Sequence, residues 1–221
     1  MPLKYLANKP ECVICGVDEA GKGSVIGPMV VAAVGCRAVE DLAALPIRDS
    51  KALRPKQREA LYGAIFRDFA IAIVTIDAAG IDDARSRMSM NACVAELHAE
   101  ALMGLRPEYA YVDACDVNAE RYGRTVASHL DFPCAVVAEH RADARYKIVG
   151  AASVVAKVTR DRAIRELEQQ YGKIGSGYPS DPTTIEFLRD YIREYGNPPP
   201  CARRSWKTVA NLYQTTMRDF P

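Results

Sequence analysis

The chain has 221 residues, of which 49% are hydrophobic and 26% charged, and its net charge of +1 marks it as neither strongly basic nor strongly acidic. This composition is typical of a globular protein and argues against a disordered or fibrous chain. The apolar runs are too short to cross a bilayer, and no segment resembles a signal peptide. Seven scattered cysteines favour the reducing cytoplasm over a disulfide-forming compartment.

The first part of the chain predicts three strands and a helix. Residues 13–18 form a short apolar run that ends in an acid, and Met29–Cys36 is a nearly continuous apolar run after the Gly27-Pro28 turn. These two runs predict a hairpin of buried strands. Residues 55–69 carry apolar side chains at four-residue spacing, which predicts a helix. A third strand is predicted at Ala70–Ile76.

The middle of the chain alternates helix and strand patterns. A helix is predicted at residues 89–105, a strand at Tyr109–Asp113, a helix after Asn118 to about residue 130, a strand at residues 134–138 and a long helix at residues 149–171. An antiparallel opening followed by helical crossovers predicts an α/β fold, with a mixed five-stranded sheet flanked by helices.

Strand patterns stop after Gly172. Asp181 and Pro182 predict a helix start that runs to Gly196, where prolines follow, and residues 206–217 predict one more helix. We therefore expect two parts: a sheet domain at residues 1–172 and a small helical appendage at residues 173–221.

Acidic residues recur where the predicted strands end. Asp18 and Glu19 close the first strand, Asp113 closes the fourth, and Asp143 follows the fifth. If the first and fourth strands are parallel neighbours, these side chains converge at one edge of the sheet, where open α/β sheets form their sites. Carboxylates that lie so close together can stay ionised only with a counter-charge nearby. Mg²⁺ and Mn²⁺ supply such a charge and prefer oxygen ligands. The acids therefore predict a divalent-metal site, although any single acid at a strand end is more often a solvated turn residue.

Two other motifs are weaker. Residues 16–22 match most of the phosphate-binding pattern GxxxxGK[ST], but Gly23 stands where a hydroxyl is needed and two acids lie within the loop. Cys12 and Cys15 have CxxC spacing, yet they lie in a predicted strand, where residues three apart face opposite sides. The three histidines lack the spacing of a zinc site.

The residues from Gly16 to Gly23, GVDEAGKG, closely resemble the signature of ribonuclease HII. Further segments are similar to this family in the same order: DSKAL at 49–53, YVDA at 111–114, EHRAD at 139–143, AASVVAK at 151–157 and GSGYPSDP at 175–182. Lys22 stands where many members carry arginine, which resembles the archaeal branch.

This resemblance implies a ribonuclease H-like fold, with residues 1–172 as the catalytic domain and residues 173–221 binding substrate. It implies an endonuclease that cuts the RNA strand of RNA–DNA hybrids and incises 5′ of single ribonucleotides in duplex DNA, leaving 3′-hydroxyl and 5′-phosphate ends. It also implies that Asp18, Glu19, Asp113 and Asp143 are catalytic and hold two Mn²⁺ or Mg²⁺ ions. Two alternatives remain open at this point: a resolvase- or integrase-like metal nuclease, and a non-catalytic hybrid-binding module.

The same resemblance assigns the substrate contacts. The backbone of Gly21, Lys22 and Gly23 and the side chain of Tyr178 are expected to sense the 2′-hydroxyl that distinguishes RNA from DNA. The remaining predicted contacts bind phosphates or lie on the same face of the long helix: Lys51, Ser153, Lys157 and Arg160. The partner is nucleic acid, no membrane is involved, and a monomer is expected. His140 receives no role. For the cluster of Arg203, Arg204 and Lys207 around Trp206 two interpretations stay open: the cluster binds the DNA backbone, or Trp206 only holds the appendage on the main domain.

Overall fold

The computed structural model describes residues 3–7, 12–47 and 54–218, and its centre is one six-stranded sheet. The strands are β1 (Leu3–Ala7), β2 (Ile14–Ala20), β3 (Met29–Cys36), β4 (Ala70–Ile76), β5 (Tyr109–Asp113) and β6 (Ala135–Glu139). Their order is β1-β4-β3-β2-β5-β6. The pairs β1–β4, β4–β3 and β3–β2 are antiparallel, whereas β5 runs parallel to β2 and β6 parallel to β5. The predicted α/β fold with a mixed sheet is confirmed, and β1 adds one edge strand to the five predicted.

The environment of the central strand β3 explains why its sequence is continuously apolar. All eight of its residues are buried, because helices cover both faces of the sheet. Val31 and Ala33 pack into the core on one face, while Val30 and Ala32 pack into the core on the other. A strand that is buried on both sides loses the alternation of polar and apolar residues.

Eight helices accompany the sheet in the described part of the chain. They are α1 (Pro55–Asp68), α2 (Ala78–Arg87), α3 (Met90–Leu105), α4 (Ala119–Ser128), α5 (Ala142–Arg145), α6 (Lys147–Tyr171), α7 (Pro182–Tyr195) and α8 (Lys207–Arg218). The sequence did not predict α2 or the single turn α5. Helix α2 is capped by the Asp77 carboxylate, which accepts a hydrogen bond from Gly80 N–H at 2.7 Å, but it buries only Ala78, Ile81 and Ala84. Such a short apolar stripe carries little periodicity to detect.

Three hydrophobic clusters organise these layers. Helices α2, α3 and α4 cover one face of the sheet, and α1 and α6 cover the other. A third cluster joins Ile26, which follows β2, and Ile164 on α6 to Leu188 on α7 and Val209 on α8. The C-terminal helices therefore share a core with the segment after β2. Within the described residues, no helix is long and apolar enough to cross a membrane.

Candidate active site and substrate-binding surface

The structure brings the predicted acids to one edge of the sheet. Strands β2 and β5 are parallel with Val17 opposite Val112, so Asp18 and Asp113 occupy the next positions on neighbouring strands. Asp143 lies in α5, which begins three residues after β6 ends. The expectation that the first and fourth predicted strands are parallel neighbours is confirmed, and it places three carboxylates at the carboxyl ends of parallel strands.

Asp18 and Glu19 leave the strand on opposite faces, as neighbouring residues in a strand must. Asp18 is 5% exposed and faces α6, where the Ser153 hydroxyl hydrogen bonds to it. Glu19 faces α3, where its Oε2 lies 3.2 Å from Nε2 of His98. The Glu19 backbone N–H donates to Asp18 Oδ1 at 2.8 Å, and this hydrogen bond orients the Asp18 carboxylate.

Burial and mutual repulsion make these acids costly to ionise. Burial raises the pKa of Asp18 well above its ordinary value, the charges of Glu19 and Asp113 raise it further, and Ser153 and Lys157 partly oppose this. Burial also raises the pKa of Asp113, together with the charges of Asp143 and Glu19, against a hydrogen bond of 2.7 Å from Ala142 N–H. A bound cation would relieve both repulsions.

The chemistry of this donor set fits a hard divalent cation. The group consists of carboxylates, the ligands that Mg²⁺ and Mn²⁺ prefer. The carboxylates are not drawn into a preformed cage: among the described residues, no three His, Cys, Asp or Glu side chains are arranged as ready ligands of one ion. Two of the acids already have hydrogen-bond partners, since Glu19 contacts His98 and Asp113 accepts from the Ala142 backbone.

His98 is a site residue that sequence reasoning missed. Its side chain is fully buried, with Nε2 beside Glu19 and Nδ1 3.2 Å from the Tyr122 hydroxyl. A neutral ring that donates from Nε2 to Glu19 and accepts the Tyr122 hydroxyl at Nδ1 satisfies all three groups. The only available signal was a histidine on the otherwise apolar face of α3.

The glycine loop, residues 21–23, follows β2 directly. Gly21 has φ +87°, and a Cβ atom there would lie 2.5 Å from Arg160 Nε and 2.7 Å from the Pro28 carbonyl oxygen. Gly23 is exposed, and a Cβ atom there would meet nothing within 4 Å. The Lys22 ammonium donates to Asn91 Oδ1 at 2.8 Å and to the Cys115 carbonyl at 3.0 Å. The side chain of Lys22 therefore anchors the loop, and the open approach to the loop is at Gly23.

Arg160 connects this loop to the Tyr178 turn. It is 4% exposed, its Nη2 donates to the Ser176 carbonyl at 3.0 Å, and its guanidinium carbon lies 4.6 Å from the centre of the Tyr178 ring. The Gly177 carbonyl accepts from Val25 N–H at 2.8 Å, so backbone bonds hold the same two segments together. Arg160 is therefore not a solvent-exposed phosphate contact, because its guanidinium is buried against the Tyr178 ring.

The other predicted contacts on α6 point toward the acids. Ser153 is fully buried, Lys157 Nζ donates to its hydroxyl, and both side chains influence the ionisation of Asp18. Ser153, Lys157 and Arg160 therefore share one helix face, as their spacing predicts. Lys51 lies outside the residues that the structure describes.

The basic cluster near the C-terminus divides into buried and exposed members. Arg203 is fully buried; its Nε and Nη2 donate to the Gly27 carbonyl at 3.1 and 3.0 Å, and its Nη1 donates to the Lys22 carbonyl at 3.0 Å. Burial, followed by the charge of Arg160, lowers the pKa of Arg203 to about 9. Arg204 and Lys207 are exposed. Arg203 thus ties the backbone of the glycine loop at Lys22 to the turn at Gly27 from within the protein. His140, also without a predicted role, lies 3.2 Å from the Val117 carbonyl through its Nε2.

A mixed sheet of this topology, with acids gathered at the ends of its parallel strands, defines a hydrolytic nuclease of the ribonuclease H-like fold. A model of the family "Ribonuclease HII" matches residues 15–209. Ribonuclease HII of Methanoregula boonei is 56% identical over 200 residues, which cover 90% of this chain and 94% of that protein. The crystal structure of ribonuclease H2 from Pyrococcus horikoshii OT3 superimposes with a TM-score of 0.87 at 41% identity, covering 93% of this chain and 99% of that chain.

The chain belongs to the ribonuclease HII family, and the resemblance seen in its motifs is confirmed. It is an endoribonuclease that acts on RNA–DNA hybrids. Bst-RNase HIII in complex with Mn²⁺ shares the fold, with a TM-score of 0.78 at 23% identity over 94% of this chain and 71% of that chain. Enzymatic activity and membership in this family remove both alternatives, the resolvase-like nuclease and the non-catalytic binding module.

Proposed function

We propose that Asp18, Glu19, Asp113 and Asp143 are the catalytic residues of this endoribonuclease, and that they hold two Mn²⁺ or Mg²⁺ ions during the reaction. The observation that carries the proposal is the placement of Asp18 and Asp113 at adjacent positions of parallel strands, with burial and repulsion raising the pKa of both carboxyls. Such acids favour a bound cation over an empty site. When bound, the ions activate water and stabilise the leaving 3′-oxyanion.

The residues of the chain then have distinct tasks. Asp18 and Asp113 present carboxylate oxygens from the rigid sheet, where strand pairing limits their movement. The contact with His98 orients Glu19, and Ser153 and Lys157 approach Asp18 from α6. Positive charge from Lys157 beside the acids suits a phosphodiester that must approach a group of carboxylates.

Recognition of the ribonucleotide is proposed for the glycine loop and Tyr178. Gly23 is open to solvent, so its backbone has room to approach a ribose 2′-hydroxyl. Arg160 lies between the loop and the Tyr178 ring, and Arg203 binds the carbonyls of Lys22 and Gly27. Two buried arginines therefore hold the proposed sensing elements in register, so that little flexibility is lost when substrate binds.

The wider assignments are proposals on the same basis. Residues 1–172 form the catalytic domain and residues 173–221 a substrate-binding appendage, which packs through the third cluster against Ile26. Lys51 and Lys157 contact the phosphates. Ser153, which accepts a hydrogen bond from Lys157, and Arg160, which lies against the Tyr178 ring, are buried and support these substrate contacts. The enzyme incises 5′ of single ribonucleotides in duplex DNA, as is typical of the family, and acts as a monomer. Free cysteines throughout the described residues suit a cytoplasmic location.

The test compares a 5′-labelled DNA duplex that contains one ribonucleotide with the same duplex made entirely of DNA, each incubated with Mn²⁺. We expect incision 5′ of the ribonucleotide and an intact all-DNA duplex. Asp113→Asn should reduce incision by about a hundredfold or more and weaken Mn²⁺ binding measured by calorimetry.

Asp116→Asn is the matched control. Asp116 lies three positions from Asp113 but is bound to Arg121 and to the Asn118 N–H, so both incision and Mn²⁺ binding should stay as in the unaltered protein. Equal cutting of the two duplexes, or full activity of Asp113→Asn, would contradict the proposal.

A further inference from the structure

A recess of about 510 Å³ opens beside the glycine loop. Lys22 and Gly23 form its rim on the loop side, Arg85 of α2 borders it, and Trp206 and Lys207 form the side that belongs to the start of α8. None of the four proposed catalytic acids lines it. The recess therefore adjoins the proposed sensing loop without belonging to the carboxylate site.

The charged side chains that line this recess are all positive. Three of its lining residues are cationic and none is acidic. Neither Arg85 nor Lys207 has an ion-pair partner within the residues that the structure describes, and both are exposed. Asp82 faces the neighbouring chain segment, but its oxygens accept from Arg204 N–H, Ser205 N–H and the Ser205 hydroxyl.

Helix α2 supplies an internal comparison. Arg87, two residues beyond Arg85, has the ordinary environment of an exposed arginine, with its Nη2 2.5 Å from Asp83 of the same helix. The guanidinium carbon of Arg85 instead lies 5.1 Å from the centre of the Trp206 ring. The buried Arg203 lies at the same distance from that ring. Contact with the ring orients the Arg85 guanidinium without neutralising it.

We propose that this recess, which borders Gly23, binds a backbone phosphate of the nucleic-acid duplex. Arg85 and Lys207 supply the charge, and Trp206 holds the Arg85 guanidinium in place. Contacts of this type position a duplex without reading its sequence, which suits an enzyme that must find a ribonucleotide anywhere. The inference rests on the proposed substrate site, because the recess is useful to the enzyme only if the duplex crosses the glycine loop.

The experiment measures binding separately from cleavage. Fluorescence anisotropy of a labelled RNA–DNA hybrid in EDTA, which prevents cutting, gives the dissociation constant over a series of salt concentrations. For the double variant Arg85→Gln/Lys207→Gln we expect affinity to fall about tenfold at 0.1 M salt, and the slope of log K against log salt to decrease in magnitude by about 1.

A second double variant, Arg87→Gln/Arg124→Gln, is the matched control. It removes the same charge from arginines that are paired with Asp83 and Glu120, so the salt slope should stay as in the unaltered protein. Thermal unfolding establishes that all variants are folded.

Three outcomes would overturn the proposal: an unchanged slope in the recess variant, an equal change in the control, or a loss of affinity without any change in slope. If inorganic phosphate binds the unaltered protein but the recess variant keeps its affinity for the hybrid, the recess is a site for small anions and the proposal is wrong. Incision by the unaltered protein is measured separately with Mn²⁺. If that incision fails while the slope changes as expected, the recess still binds the duplex and the error lies in the proposed catalytic function.

Discussion

Replacement by alanine is expected to affect two glycines of one motif differently: at Gly21 it should lower stability, and at Gly23 it should lower incision while stability is kept. Gly21→Ala places a methyl group at a backbone φ of +87°, 2.7 Å from the Pro28 carbonyl and 2.5 Å from Arg160 Nε. The positive φ costs alanine about 1–2 kcal/mol. Overpacking adds about 1–3 kcal/mol, since no side-chain rotation moves a backbone carbonyl away. We expect a total loss of about 2–5 kcal/mol, which for a chain of this size lowers Tm by about 4–20 °C.

Gly23→Ala is the matched control for stability. Its methyl group would meet nothing within 4 Å and no positive φ opposes it, so the free energy of unfolding should change by less than about 0.5 kcal/mol. The methyl group nevertheless stands where the ribose is proposed to approach. Incision at an embedded ribonucleotide should therefore fall in Gly23→Ala while its Tm is retained.

The assay is thermal unfolding in EDTA at pH 7, followed by incision measured well below the Tm of the weaker variant. Equal loss of stability in both variants, or none in Gly21→Ala, would refute the geometric reasoning. A fully active Gly23→Ala would refute the proposed approach of the ribose at that position and would leave the reasoning about Gly21 intact.

Three further changes test the groups around the site. Arg203→Lys keeps the charge but replaces three guanidinium nitrogens by one, so a single ammonium cannot reproduce all three hydrogen bonds to the Lys22 and Gly27 carbonyls. Urea unfolding should show a loss of about 1–3 kcal/mol for the weakened bonding of these buried acceptors; unchanged stability would argue against these bonds. Asp113→Asn should stabilise the protein in EDTA. Because the folded-state pKa of Asp113 is raised above its unfolded value, ionisation costs stability as the pH rises through that interval. The advantage of asparagine should therefore be larger at pH 8 than at pH 5, and an advantage confined to low pH would contradict the sign. His98→Gln loses the contact with Tyr122 and should raise the Mn²⁺ concentration needed for half-maximal incision by about tenfold or more, with Tyr122→Phe as a milder companion; an unchanged metal requirement would leave His98 with a packing role only.

Local patterns were sufficient for most of the fold. The continuous apolar run of β3, the helix spacing of α3 and the Asp181-Pro182 start of α7 are properties of neighbouring residues, and the structure has each where the sequence predicts it. The acids at strand ends and the order of the motifs likewise identify the family, because both depend only on which residues occur and how far apart they lie in the chain. Helix α2 escaped prediction because its three buried residues leave too little periodicity to detect.

The tertiary structure decided which side chains act together. His98 and Glu19 are 79 positions apart in the chain, and Arg203 and Lys22 are 181 apart. Backbone carbonyls are the same for every residue, so no sequence pattern reveals that Arg203 binds those of Lys22 and Gly27. The sequence does not reveal solvent exposure either, because Arg160, Arg203 and Arg85 are three arginines with the same chemistry. Packing buries the first two beneath the glycine loop and leaves the third open beside it, because burial is set by contacts with distant segments.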